Sequence, residues 1–135
     1  MKVSFDFDGT LSRDDVQKYA KSLMEKGIET WVVTARYDDI EKSNTIYRNY
    51  NNNDLYSITD NLKIPRENIV FMNMQDKSDF FCLNEDFIFH LDDNSTEIEL
   101  INEYCKNVKG VWLYKLDPNG FNWNEICENL ILLEK

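Results

Sequence analysis

The sequence predicts an α/β fold, with one Rossmann-like, doubly wound domain built on a parallel five-stranded sheet that carries helices on both faces. Two observations predict it. Five short apolar runs alternate with segments of helical periodicity, the order expected when right-handed crossover helices join parallel strands. The chain has 135 residues, 42% of them hydrophobic and 13% aromatic, which is the length of one domain with enough apolar surface for a core.

The first strand and the first helix are predicted at the start of the chain. Val3–Phe7 is an apolar run typical of a short strand, and a turn follows it. A helix is predicted next, because Ser12 and Asp15 form a capping-box pattern ahead of apolar residues at helical spacing. Gly27 stands where a left-handed helix end belongs, and Ile28–Val33 is the second predicted strand.

The middle of the chain has a weaker pattern. The spacing predicts a helix over 38–50, a polar Asn-rich break, and a second helix over Asp54–Leu62. Pro65 ends this helical region. Beyond it, Ile69–Met72 is the third predicted strand, and residues 78–83 form a short predicted helix.

The last part of the chain repeats the alternation. Phe87–Leu91 and Val111–Tyr114 are the fourth and fifth predicted strands, and residues 95–105 between them have helical spacing. A closing helix is predicted over Trp123–Leu133, because Asn122 is a favourable N-cap residue.

Charge and cysteine content exclude several classes of protein. The 15 basic and 25 acidic residues give a net charge of -10, which opposes broad nucleic-acid binding. Cys82, Cys105 and Cys127 form no CxxC pair and have no neighbouring His for a zinc site, so buried reduced thiols are predicted. No run reaches the roughly 18 apolar residues of a membrane span, and no signal-peptide pattern is present. We expect a cytoplasmic protein without membrane contact.

Polar residues follow four of the predicted strands, and these strand ends should meet at one edge of the sheet. In chain order they are Asp6 and Asp8, Thr34, Lys77, and Asp92 with Asp93. Neighbouring carboxylates stay ionised at neutral pH only with a cation between them, and Mg²⁺ prefers oxygen ligands. The four aspartates therefore predict a magnesium site. One of them could then attack a phosphoryl group while Thr34 and Lys77 hold its oxygens.

Three motifs stand at successive strand ends. Residues 3–11 are an apolar run with Asp-x-Asp-Gly-Thr-Leu, residues 31–34 are an apolar run that ends in Thr, and residues 87–93 are an apolar strand that closes in two acids. In this order, the set resembles the first, second and fourth motifs of the haloacid dehalogenase (HAD) superfamily of phosphohydrolases. The resemblance covers most of the chain.

The resemblance implies a magnesium-dependent phosphomonoester hydrolase that works through an aspartyl-phosphate intermediate. The implied roles are nucleophile for Asp6, general acid/base for Asp8, phosphate ligand for Thr34, third-motif lysine for Lys77, and magnesium ligands for Asp92 and Asp93 together with Asp6 and Asp8. Gly9, Ala35 and Arg36 are expected to contact the phosphate, with the Thr-Ala-Arg run loosely similar to the phosphatase half of polynucleotide kinase-phosphatases. Lys63 is the alternative third-motif lysine, and an ordinary surface arginine is the alternative for Arg36. His90 is expected to be a core histidine rather than a catalytic one.

Many HAD proteins carry a cap domain over the site, but predicted helices and strands fill the segments between Asp6, Thr34 and Lys77. We therefore expect residues 1–135 to form one capless domain. Such an open site suits a bulky phosphorylated substrate, or an oligomer whose neighbour covers the site. A small phosphate ester, a nucleotide and a phosphorylated nucleic-acid end all remain possible substrates. The alternative function is a non-catalytic module that binds metal or a phosphorylated partner.

Overall fold

Five parallel strands form the central sheet of the computed structural model, which describes residues 1–46, 48–116 and 118–134. The strands are β1 (Lys2–Phe5), β2 (Glu29–Thr34), β3 (Ile69–Phe71), β4 (Phe87–Asp92) and β5 (Lys109–Trp112). Their spatial order is β3-β2-β1-β4-β5, and every neighbouring pair is parallel. The predicted α/β class and the five-stranded parallel sheet are confirmed.

Helices cover the sheet in two separate apolar clusters. The helices are α1 (Asp14–Glu25), α2 (Asn53–Leu62), α3 (Lys77–Phe81), α4 (Ser95–Tyr104) and α5 (Trp123–Leu133). Leu23, Leu55 and Cys127 bring α1, α2 and α5 into one cluster. Phe81 and Ile101 bring α3 and α4 into the other. This two-sided cover is what a doubly wound sheet requires, because near-continuous apolar strands need burial on both faces.

The strand order reverses at β1, because β2 and β3 lie on one side of β1 and β4 lies on the other. The chain runs outward from β1 to β3, then returns to place β4 on the other side of β1. Phe5 pairs with Leu91, and the N–H of Asp6 donates to the carbonyl of Leu91 at 2.8 Å, which extends this pairing by one residue. Asp6 and Asp92 therefore leave adjacent strands at the switch point, where open α/β sheets form their ligand crevice.

The helix predicted over 38–50 does not form among the described residues of that segment. The structure has turns there and a single 3₁₀ turn at Glu41–Asn44. Local side chains take the backbone groups that a helix would use: the hydroxyls of Ser43 and Thr45 donate to the carbonyls of Ile40 and Lys42. Tyr47, which the predicted helix includes, lies outside the described residues.

Two smaller predictions also differ from the structure. Ser12 does not cap α1, because its hydroxyl accepts the N–H of Gly9 at 3.0 Å and Arg13 occupies the N-cap position. Cys82 is exposed at the end of α3, with its Sγ 2.9 Å from that of Cys105.

The cap at Asn122 is confirmed, since the side chain of Asn122 accepts the N–H of Glu125 at 3.1 Å. In the described part of the chain, no helix has both the length and the apolar character needed to cross a bilayer.

Candidate active site

A buried ionic cluster lies at the carboxyl ends of β1 and β4. The ammonium of Lys77 donates to Asp6 Oδ1 at 2.7 Å and to Asp92 Oδ2 at 2.6 Å. The three residues are almost fully buried, with 5%, 2% and 0% of Asp6, Lys77 and Asp92 exposed. Buried charges of this kind persist only when they are paired, so each member of the cluster depends on the others.

The start of α3 brings Lys77 to the cluster. Its backbone N–H donates to Glu97 Oε2 of α4 at 2.9 Å, which satisfies one of the free N–H groups at a helix start. Phe81, fully buried one turn later, anchors the short helix in the second apolar cluster. The alternative lysine, Lys63, lies exposed at the left-handed end of α2 and borders a separate depression beside Gly27. Lys77 is therefore the lysine that the structure brings to the aspartates.

His90 and Ser4 form a chain of hydrogen bonds that ends at Asp92. His90 Nε2 lies 2.8 Å from Asp92 Oδ2, and its Nδ1 lies 2.9 Å from the hydroxyl of Ser4, its partner in the pairing of β1 with β4. Burial lowers the pKa of His90, so the ring is neutral. A neutral ring satisfies both contacts when Nε2–H donates to Asp92 and Nδ1 accepts from Ser4. His90 is thus a core histidine, as predicted, that also orients a carboxylate of the cluster.

Burial and neighbouring charges shift the pKa values of all three cluster members. Burial raises the pKa of Asp6 from 3.8 to about 8, and Lys77 only partly opposes this. Burial also disfavours ionisation of Asp92, but His90 and Lys77 outweigh it and hold the pKa of Asp92 well below its usual range. Burial disfavours the charged form of Lys77 too, yet the two carboxylates prevail and raise its pKa. Without a cation, Asp6 therefore keeps its proton at neutral pH and Asp92 carries the negative charge.

Asp93 completes a set of three carboxylates. Asp6, Asp92 and Asp93 each offer one oxygen, and these oxygens lie within 4.8 Å of one another. Gly9 makes this approach possible, since it has a φ of +76° and a Cβ there would collide with the carboxylate of Asp93. Hard oxygen donors this close together suit a divalent cation such as Mg²⁺. The residues present fit the predicted metal.

Asp8 does not join this carboxylate set. Its side chain is 61% exposed and bonds the guanidinium of Arg36, with contacts of 2.9 and 2.7 Å to its two oxygens. The cause is local: β1 ends at Phe5, and the helical turn over Phe7–Leu11 replaces the strand alternation that would hold Asp6 and Asp8 on one side. The predicted metal role of the Asp8 side chain thus has no support in this geometry, whereas Asp6, Asp92 and Asp93 come together as expected.

Arg36 is saturated by protein oxygens. Beyond its two bonds to Asp8, it donates two to Asp54 at 2.8 Å each and a longer one to Asn52 at 3.4 Å. These acceptors match the five N–H groups of a guanidinium. The side chain of Arg36 also lies over the ring of Phe7, 5.0 Å from its centroid. Arg36 in this state has no N–H group left for a phosphate, so its predicted phosphate contact requires an exchange of partners.

Two other predicted phosphate ligands, Thr34 and Ala35, lie at the end of β2. Thr34 is buried at the last position of β2, and its Oγ1 accepts the N–H of Arg36 at 3.2 Å. That contact leaves the hydroxyl proton of Thr34 as a donor. Ala35 follows and borders a cavity with Asp8 and Arg36.

Sequence reasoning missed the residues that support the cluster. The spacing of two between His90 and Asp92 was a usable signal, because alternate strand residues share a face. Glu97 and Asp54 gave no comparable signal. Their contacts to Lys77 and Arg36 depend on how α4 and α2 pack, which no local pattern encodes.

The chain matches no model of a known protein family, and a search of curated proteins finds none with significant similarity.

Proposed function

We propose that this chain is a magnesium-dependent phosphomonoester hydrolase of the HAD type, capless, that forms an aspartyl-phosphate on Asp6. One observation carries the proposal: the convergence of Asp6, Lys77 and Asp92 at the switch point of the sheet, with Asp93 alongside. A lysine buried between two aspartates contributes little to net stability, because desolvation offsets most of the attraction. Such a cluster in a ligand crevice is more typical of a reacting site.

The proposed reaction begins with Asp6. Its carboxylate attacks phosphorus, the bond from Asp6 oxygen to phosphorus forms, and the bond to the leaving oxygen breaks. The ammonium of Lys77, 2.7 Å from Asp6, stabilises charge on the phosphoryl oxygens, and Thr34 donates its hydroxyl proton to one of them. Bound Mg²⁺ would be held by Asp6, Asp92 and Asp93, where it would favour ionised Asp6 and offset the charge of the phosphate. Water then hydrolyses the acyl phosphate.

Asp8 is the proposed proton donor to the leaving oxygen. It must first leave Arg36, because both of its oxygens accept bonds from that guanidinium. Its high exposure leaves room for that rotation. Water activation in the second step uses the same carboxylate as a base.

The test is turnover of p-nitrophenyl phosphate with Mg²⁺ and with EDTA, for wild type, Asp6→Asn and Asp60→Asn. Asp60 is a matched control, since it is exposed on α2 and pairs only with Arg66 among the described contacts. We expect turnover only with Mg²⁺, its loss in Asp6→Asn and its retention in Asp60→Asn. Turnover in EDTA, or near-native activity of Asp6→Asn, would contradict the proposal.

A non-catalytic module that binds metal or a phosphorylated partner is the second candidate. The bonds that hold both oxygens of Asp8 on Arg36 favour it, because a proton donor kept in this state cannot serve a leaving group. This alternative predicts that Mg²⁺ raises the melting temperature while no phosphomonoester is hydrolysed. The same protein samples decide between the two.

A further inference from the structure

A cavity of about 680 Å³ opens beside the carboxyl end of β2. Its lining includes Asp8, Ala35 and Arg36, together with residues of the segment that precedes α2. Two of these residues lie close in sequence to the candidate site, because Asp8 follows Asp6 by two residues and Ala35 directly follows Thr34. Cavities of about 300–1,000 Å³ are the size that holds small organic ligands. A phosphomonoester with its phosphate at Asp6 would direct its leaving group here.

The cations in the cavity wall are already neutralised by the protein. Arg36 is shared between two carboxylates, those of Asp8 and Asp54. Lys42 pairs with Asp39 at 3.2 Å and donates to the carbonyl of Tyr50 at 2.6 Å. Among the described lining residues, no other cation is present. The lining therefore disfavours a leaving group that carries further phosphates, such as a nucleoside diphosphate or a polynucleotide.

The other side chains of the lining favour a flat, polar ring. The lining includes Tyr37, Tyr50 and Met74, and also Asn49 and Asn51. Tyrosine rings stack on planar groups, and Asn amides offer both donors and acceptors to a ring edge. Tyr50 is 69% exposed. Aromatic faces with amides around them match the chemistry of a nucleobase better than that of an aliphatic polyol.

We infer that this cavity binds an uncharged nucleoside as the leaving group, so that the substrate is a nucleoside monophosphate. The inference rests on the proposed phosphohydrolase function. It selects one of the substrate classes that the sequence leaves open, and the net charge of -10 independently disfavours a nucleic-acid end.

The test compares kcat/KM for nucleoside 5′- and 3′-monophosphates with that for ribose 5-phosphate, nucleoside diphosphates and 3′-phosphorylated oligonucleotides. Wild type, Tyr50→Ala and Tyr104→Ala are measured. Tyr104 is a matched control, exposed to a similar extent at the end of α4. We expect a nucleoside monophosphate to exceed ribose 5-phosphate at least about tenfold, and Tyr50→Ala to reduce that ratio about tenfold through KM, as loss of one stacking contact would. Tyr104→Ala should keep the wild-type ratio.

The outcomes separate this inference from the proposed function. Magnesium-dependent hydrolysis of p-nitrophenyl phosphate without preference for a nucleoside overturns the inference alone, as does preference for diphosphates or oligonucleotides. If no phosphomonoester is hydrolysed, the proposed function fails, and calorimetry with free nucleosides then tests the cavity directly. Binding that Tyr50→Ala weakens and Tyr104→Ala does not would support the cavity assignment, whereas absence of binding would refute it.

Discussion

The raised pKa of Asp6 predicts that the metal-free protein loses stability as pH rises from 6.5 to 8. The folded pKa of about 8 exceeds the unfolded value of 3.8, so between these values the folded state holds a proton that the unfolded chain has released. Folding then becomes less favourable with rising pH. His90 has the opposite effect on stability. Its pKa is lowered in the folded state, so below about pH 6.5 the unfolded chain binds a proton that the folded protein does not bind. The effect of His90 fades above pH 6.5, whereas that of Asp6 continues to about pH 8.

The size of the loss follows from linkage. One proton difference changes the unfolding free energy by about 1.4 kcal/mol per pH unit, so the interval from pH 6.5 to 8 costs roughly 2 kcal/mol. Lys77 does not titrate in this interval, because its pKa is raised above 10.5. For a domain of this size, such a loss lowers the melting temperature by several degrees.

Urea unfolding in EDTA, followed by tryptophan fluorescence at pH 6.5, 7, 7.5 and 8, measures the slope. Asp6→Asn should abolish it, since an amide has no proton to release, and saturating Mg²⁺ should abolish it by keeping Asp6 ionised in the folded state. Asp60→Asn, on the surface of α2, should retain the wild-type slope. A flat wild-type profile, or an equal slope in Asp6→Asn, would refute the assigned ionisation of the cluster.

Two further predictions concern the partners of Asp6. Lys77→Met should destabilise the metal-free protein by about 3–5 kcal/mol, because it leaves the ionised carboxylate of Asp92 buried without its cation, and should abolish phosphatase turnover. Lys63→Met, on an exposed residue, should do neither, and equal effects in denaturant melts would contradict the assignment. Mg²⁺ at about 100 times its dissociation constant should stabilise wild type by roughly 2.7 kcal/mol. Asp92→Asn should need far more Mg²⁺ for the same shift in a thermal melt, and an unchanged dependence would exclude Asp92 as a ligand.

Most of the fold could be predicted because its signal is local. Each strand is a short apolar run, and a parallel sheet buried on both faces makes such runs stand out. The segment 38–50 was predicted wrongly because its weak helical spacing competes with hydroxyls such as those of Ser43 and Thr45, which bond nearby carbonyls instead. Periodicity alone does not weigh that competition.

The candidate site likewise contains residues whose positions the sequence predicts and residues whose positions it does not predict. Residues at the end of a strand or directly after it, such as Asp92 and Asp6, could be assigned to the common edge because strand direction fixes where they emerge. Asp8 could not, since its carboxylate is held by Arg36, which lies 28 residues away in the sequence. The positions of Asp54 and Glu97 likewise follow from helix packing rather than from any motif.

The charge of the cluster matches the cation that the proposal requires. Asp6, Asp92 and Asp93 bring three negative charges when ionised, and Lys77 brings one positive charge, which leaves a net charge of two negative units. A divalent cation neutralises this set, whereas a monovalent one leaves it negative, and protonation of Asp6 is the alternative when no cation is present. The separate group of Asp8, Asp54 and Arg36 brings two negative charges and one positive charge, so it adds one further negative unit outside the cluster. Only after a divalent cation has bound can a phosphate dianion approach Asp6 without meeting net negative charge in the cluster. The proposed hydrolysis and the stability of the fold should therefore respond to the same metal.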